Sequence, residues 1–245
     1  MISHGPGAPR AIAARRIRDL LRADLLRGGF PGGRLPSEAE LMRSYHSSRG
    51  TVRDALDLLR AEGLVRRLTG TGTLVAAHPN QSSMPEIHGL EAPRESMASA
   101  HYRVLDRYEL PMPEFVGTVL EQPVGSRCLA IEYLALQENE PFAVIINYLG
   151  WPEAAAVIDH PLDVDYFSFL RRGGLGIGST DMIFDARAAD ATTSRLLDIP
   201  EGGPLLGFEQ IISDENGRPY DYAVGYGPGD RLRLLSRAVA RSPVA

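Results

Sequence analysis

Arg49, Gly50, Thr51 and Arg53 follow directly on Ser47-Ser48. Two guanidinium groups one helical turn apart offer planar donor forks to phosphate oxygens or guanine edges. Gly50 removes a side chain where a backbone can approach DNA closely. This chemistry is recognition, not bond making. A second basic group, Arg66 and Arg67, precedes Gly70-Thr71-Gly72, and these residues suit contact with phosphates or the minor groove. Other constellations are weaker. Asp159-His160 with Asp163 and Asp165 matches no standard metal-ligand spacing. Ser179-Thr180-Asp181 lacks the surroundings of a nucleophile. Cys128 lies in an apolar run and reads as inert core.

Positioning these groups requires a small helical scaffold. Residues 11–26 are helical in pattern, with Ile17, Leu20, Leu21 and Leu25 on one face. Gly28-Gly29 ends that helix. Ser37 and Glu40 have the spacing of a capping box, which starts a second helix with Leu41 and Tyr45 inward. His46-Ser47 makes the turn. Ser48 is placed to cap a third helix running to Glu62, with Val52, Ala55, Leu56 and Leu59 as its core stripe. Residues 64–67 and 73–76 read as a hairpin. Two short helices, the second opening on arginines, followed by a hairpin, describe a winged helix-turn-helix.

The chain has 245 residues and a net charge of −5, which by itself argues against a nucleic-acid partner. The charge is unevenly spread. Residues 1–78 carry 13 Arg against 7 acidic residues, a net of +6, and residues 79–245 carry a net of −11. Such asymmetry assigns a nucleic-acid-facing role to the first part and leaves the acidity to a second domain. All 26 basic residues are arginine. A single cysteine allows no internal disulfide and suits a reducing cytoplasm. No apolar run approaches a membrane span, and no secretory h-region is visible.

The organisation expected is a disordered N-terminus (1–10), a winged-helix domain (11–78), a Pro/Ser/Asn-rich linker (79–94) and an α+β domain (95–240). In the last, strands are expected at 99–108, 113–120, 128–136, 142–149, 182–188, 205–213 and 220–226. Short helices are expected at 153–158, 165–172 and 190–197.

Residues 11–77 resemble the winged-helix domain of the GntR transcription regulators. The carrying residues are LPSEAEL (35–41), SSRGTVRDAL (47–56), LRAEGLVRR (59–67) and GTGTLV (70–75). The basic residue customary after the LPSE glutamate is Ala39 here, with Arg34 nearby. The DNA-facing set is then Arg34, Ser37, Glu38, Ser48, Arg49, Gly50, Thr51, Arg53, Arg66, Gly70, Thr71 and Gly72. Residues 95–235 resemble the UTRA effector domain of the HutC subfamily, through PVGSRCLAIEYLALQENEPFAVIINYL (123–149), DYFSFL (165–170), LLDIPEGGPLLGFEQI (196–211) and DENGRPYDYAVGYGPGDR (214–231).

The resemblance implies a homodimer on a near-palindromic operator and an antiparallel α+β effector domain of chorismate-lyase-like fold. It also implies an effector site at Tyr133, Ala135, Ile145, Phe167, Asp221 and Tyr226. Relatives that sense phosphosugars carry two arginines where this chain has Tyr133 and Ala135. The expectation is therefore a small, largely apolar effector, not a phosphosugar, with Asp221 for a hydroxyl or amine. The function expected is a ligand-responsive DNA-binding regulator, a repressor, cytoplasmic, without cofactor, metal or enzymatic activity. The rivals are a ligand-independent dimeric regulator and a lyase-like enzyme; the latter lacks the cationic residues that a dicarboxylate needs.

Overall fold

Helix α1 (Arg10–Leu26) buries Ala14, Ile17, Leu21 and Leu25 against the helices that follow. Leu20, expected on that face, is instead half exposed, because the stripe closes through Ala14 one turn earlier. The protein is described here from a computed structural model covering residues 10–68, 70, 72–76, 80–90 and 100–236. It divides into two compact units, Met1–Pro79 and Asn80–Ala245. The disorder expected for residues 1–9 lies outside the described residues, and Arg10 belongs to α1.

In the first unit, helix α2 (Glu38–Ser44) starts at the expected capping box. Glu40 N–H donates to Ser37 Oγ at 3.3 Å, and Ser37 N–H donates to the Glu40 carboxylate at 2.8 Å. The bonds from Ser37 hold the Glu40 carboxyl below its ordinary range. His46 turns the chain with a φ of +46°, a left-handed conformation that histidine adopts more readily than most residues. Helix α3 (Arg49–Ala61) is capped by Ser48 and buries Val52, Ala55, Leu56 and Leu59, as its periodicity requires. Strands β1 (Val65–Leu68) and β2 (Gly72–Val75) pair antiparallel as the wing.

The second unit is built on six antiparallel strands in the order β4-β5-β6-β9-β8-β7. They are β4 (His101–Pro111), β5 (Arg127–Gln137), β6 (Glu140–Gly150), β7 (Ser179–Ala188), β8 (Pro204–Ser213) and β9 (Pro219–Pro228). The β5–β6 connection is a two-residue turn with positive φ at both Glu138 and Asn139, the mirror-image turn that matches strand twist. One sheet face packs against α6 (Glu153–Val157) and α7 (Tyr166–Arg172). The other packs against α5 (Glu114–Val119) and α8 (Ala191–Leu197).

Two expectations are overturned. Residues 113–120 are not a strand. Pro113 precedes the helix α5, which buries Val116, with Leu120 buried at its C-cap one turn on. The stretch 79–94 is not wholly a linker. Asn80–Ser83 forms β3, paired in parallel with β10 (Leu232–Leu235), and Met84–Ile87 forms α4 behind a Ser83–Glu86 capping box. The segment is held to the sheet. Gln210 Nε2 donates to the Ile87 carbonyl at 3.2 Å, His88 bonds Thr180, and Arg171 donates to the Gly89 carbonyl. A ring lies where a Gly89 side chain would stand, because a Cβ there would come within 2.3 Å of Phe167. We call residues 80–90 the strap. Residues 79 and 91–94 lie outside the described residues.

Candidate functional site

Most acidic side chains of the first unit are paired with its arginines. Arg10 pairs with Asp54, Arg15 with Asp19, Arg18 and Arg22 with Glu62, and Arg60 with Asp57. Glu40 is spent in the α2 cap. Arg34, Arg43, Arg49, Arg66 and Arg67 have no carboxylate partner among the described residues, and all five are exposed. Arg16 of α1 and Arg27 just after it are likewise exposed and without a carboxylate partner among the described residues, so the unpaired arginines lie on α1 as well as on α2, the start of α3 and the wing, and the last three are the parts of a winged helix that face DNA.

The expected DNA-facing residues separate by role. Arg49 and Arg53 are both exposed on α3. Arg53 Nε donates to the Glu38 carboxylate at 3.0 Å, and its terminal nitrogens have no partner among the described residues. Glu38 thus orients the Arg53 guanidinium. Ser37 and Ser48 are the caps of α2 and α3. Arg34 bridges to Leu74 of β2, with its guanidinium beside Gly72. Arg66 is exposed on β1. Gly70 and Gly72 have φ of +78° and +108°, which the hairpin tip needs and only glycine adopts easily. Thr71 lies outside the described residues.

Two members of the set are corrected. Thr51 is only 6% exposed, and its hydroxyl is 2.9 Å from Ser48 Oγ, so it completes the helix cap. Gly50 is not open to close approach. A Cβ there would stand 2.9 Å from the Arg10 guanidinium, which donates to the Gly50 carbonyl at 3.1 Å. A further exposed arginine, Arg43, lies outside the expected set. Arg43 stands one turn beyond Ala39 and borders a shallow depression with Ala39, His46 and Arg49. The i, i+4 spacing from the position that lost its basic residue was the signal for it.

The second unit holds a cavity of about 160 Å³. Tyr102, Tyr133, Phe142 and Tyr166 line it on one side, and Phe167, Phe184 and Phe208 line the rest with aliphatic side chains. Glu86 and Ile87 of the strap and Leu232 and Leu234 of β10 complete the wall. Tyr133 stacks on Tyr166 with ring centroids 5.7 Å apart, and Tyr102 meets Tyr133 edge-on at 5.9 Å. Gly225 makes room for the Phe208 ring, which a Cβ would meet at 2.2 Å. No Arg or His lines the cavity among the described residues.

Tyr133, Ala135, Ile145 and Phe167 of the expected effector set all stand on this wall. Asp221 and Tyr226 do not. Asp221 is fully buried behind Asn147, accepting from Asn147 Nδ2 at 2.8 Å and from the Tyr166 hydroxyl at 2.6 Å. Burial pushes its carboxyl up to about 7 against the lowering effect of those two bonds. Burial likewise holds the Tyr166 hydroxyl protonated, with the Asp221 charge adding to the effect. Tyr226 is registered against Val144 and packs with Leu134 and Leu136 on the opposite sheet face. Strand alternation sends it away from Ala223, which does line the cavity. Asn147 was not foreseen. It borders the cavity, its Nδ2 is committed to Asp221, and its buried Oδ1 has no partner among the described residues.

Comparison with known proteins decides the family. The model of bacterial regulatory proteins of the gntR family matches residues 13–75, and that of the UTRA domain matches residues 96–233. This chain belongs to the GntR family. The histidine utilization repressor of Klebsiella aerogenes is 39% identical over 214 residues, covering 84% of this chain and 86% of that protein, and supports the HutC subfamily. The transcriptional repressor NagR of Bacillus subtilis is 25% identical over 226 residues, covering 90% and 92%. Among solved structures, PhnF from Mycobacterium smegmatis superposes with a TM-score of 0.63 at 20% identity, over 92% of this chain and all of that one, which shows a shared fold. This GntR regulator is thus a DNA-binding transcriptional regulator with a ligand-binding effector domain. The family consists of regulators rather than enzymes. No helix among the described residues is long and apolar enough to cross a membrane.

Proposed function

We propose that this regulator is a homodimeric, cytoplasmic repressor that binds a near-palindromic operator and leaves it when a small, largely apolar effector fills the aromatic cavity. Arg49 and Arg53 contact base edges or phosphates. Arg34, Arg43 and Arg66 fix the reader on the backbone, and the Gly70–Gly72 tip follows the neighbouring groove. Two such readers engage half-sites about 34 Å apart, so losing their joint fit removes most of the affinity.

The observation that carries this reading is the strap. Its Glu86 and Ile87 form part of the cavity wall, and its first residue, Asn80, follows the first unit directly in sequence. An occupant of the cavity touches the segment that leads to the reader. A preference of the occupant for one strap position is coupling, and about 1–3 kcal/mol is ordinary for such a device.

The test has two parts. In vitro selection of DNA sites by the full chain should return inverted repeats bound by dimers. A small-molecule screen for release from the selected site should return apolar compounds, and Ala135→Phe, which fills the cavity, should abolish their effect. Recovery of single half-sites bound by monomers would remove the dimer. Release that survives Ala135→Phe would remove the cavity as the effector site.

A further inference from the structure

The cavity has an unusual electrical character for one lined by so many rings. Its only charged wall residues among the described ones are carboxylates, Glu86 on the strap and Asp165 at the start of α7. Aromatic faces carry negative potential and attract cations held within about 6 Å of the ring centre. Tyr133 and Tyr166 are stacked, and Tyr102 stands edge-on to Tyr133, so three rings crowd one corner. Burial holds the Tyr102 and Tyr133 hydroxyls protonated, and Asp165, which lines the same cavity, lies close enough for its charge to add to that effect.

The helix cap explains only part of Asp165. Its Oδ1 accepts from Ser168 N–H at 2.9 Å. No hydrogen bond to its Oδ2 is found among the described residues. Asn147 points to a ligand independently. It is 1% exposed, it borders the cavity, and its Oδ1 is an acceptor without a donor among the described residues. Its Nδ2 faces Asp221 Oδ1 at 2.8 Å, and with that carboxyl ionised the Asn147 Oδ1 is left for another donor. Buried acceptors are nearly always paired, so an unpaired one beside a cavity marks where a donor belongs.

From this we infer that the effector is a small organic cation, an amine or similar N–H-bearing group on an apolar body. Its charged end sits among Asp165, Tyr102 and Tyr133, and an N–H donates to Asn147 Oδ1. Carboxylates and phosphates are disfavoured, because among the described residues no cation on the wall would meet them and Asp165 would repel them. The inference rests on the reading of this cavity as the effector site and adds the ligand's charge to it.

Three probes of nearly equal size test it: 2-phenylethylamine, 2-phenylethanol and phenylacetate. Calorimetric titration of each into the full chain, in phosphate buffer at neutral pH, reads their relative affinity. The amine should bind at least about tenfold tighter than the alcohol, and phenylacetate should bind more weakly than both. Asp165→Asn keeps an equally good helix cap and removes the charge. It should bring the amine-to-alcohol ratio to within about threefold and leave the alcohol's affinity unchanged, which a merely structural role for Asp165 would not do. Ala135→Phe should abolish binding of amine and alcohol alike, and Ala135→Leu serves if the larger side chain prevents folding.

The outcomes separate the two readings. If amine and alcohol bind equally and both are lost on filling the cavity, the cation inference falls and the cavity stands as the effector site. If filling the cavity leaves binding intact, the cavity reading falls and this inference with it. Tighter binding of phenylacetate than of the amine overturns the inference, as does the absence of amine binding at millimolar concentration.

Discussion

Asp221→Asn is a substitution whose outcome the geometry specifies closely. Asp221 is fully buried between Asn147 and Tyr166, and its carboxyl titrates near 7 where an ordinary aspartate titrates at 3.8. In the unfolded chain the proton leaves near the ordinary value. Below that pH both states hold it. Between 3.8 and about 7 only the folded state does, so rising pH favours unfolding, and above about 7 the loss is complete. At ~1.4 kcal/mol per pH unit, the full displacement amounts to about 4 kcal/mol. The amide does not titrate. Its oxygen accepts from the Tyr166 hydroxyl, and its nitrogen donates to Asn147 Oδ1 once the Asn147 amide turns over. The variant should therefore be more stable than the parent at neutral pH, and the difference should grow by about 3 kcal/mol from pH 5 to pH 8.

The assay is urea unfolding across that range, followed by the fluorescence of Trp151. This is the chain's single tryptophan and packs against the core of the second unit. Taking the difference between variant and parent at each pH cancels the other carboxylates, among them Asp190 and Asp214, whose carboxyls are held below their ordinary range. A difference that stays flat within about 0.5 kcal/mol would refute the assignment, because a carboxyl that ionises at its ordinary pH leaves no such trace.

Other outcomes follow from the remaining geometry. Arg49→Ala should weaken operator binding by about 1–3 kcal/mol and relax sequence preference, read by gel shift against operator variants. Arg43→Ala should leave sequence preference alone and reduce the slope of log affinity against log salt by about 1, as expected for one phosphate contact. Cys128 is fully buried, and burial pushes its thiol up to about 11. Thiol reagents should label it only at the rate of global unfolding, measured by mass spectrometry in increasing urea.

Local signals were legible where structure is local. The Ser37–Glu40 cap, the Ser48 cap and the α3 stripe follow from neighbours within one or two turns, and each is found where the residues place it. The β5–β6 hairpin follows from two apolar runs around a short turn. Helix α5 was misread because six residues are too few to display a 3.6-residue period, and its Val and Thr residues suit strands. Gly117 gives it away only in three dimensions, where a Cβ would stand 2.9 Å from the Gln122 carbonyl. The strap was misread because Asn80, Gln81, Ser82 and Ser83 carry no strand signal, and their partner strand lies near the other end of the chain. The cavity shows the same limit. Four of the six expected residues stand on its wall, yet Asn147 and Asp221 belong to strands 74 residues apart and their hydrogen bond has no signature in sequence. Placing Tyr226 on the cavity followed a count from homologous positions, whereas the pleat decides which face a side chain takes.

The parallel pairing of β3 with β10 sets where this protein can be cut. The family match to the effector domain begins at residue 96, so a fragment trimmed to that boundary would omit β3, α4 and the rest of the strap. It would lose the wall supplied by Glu86 and Ile87 and leave β10, whose Leu232 and Leu234 also line the cavity, without its strand partner. Ligand affinities measured on such a fragment would describe a shape the whole protein does not have. A fragment beginning at Asn80 keeps the β3–β10 pair and with it the strap's part of the cavity wall.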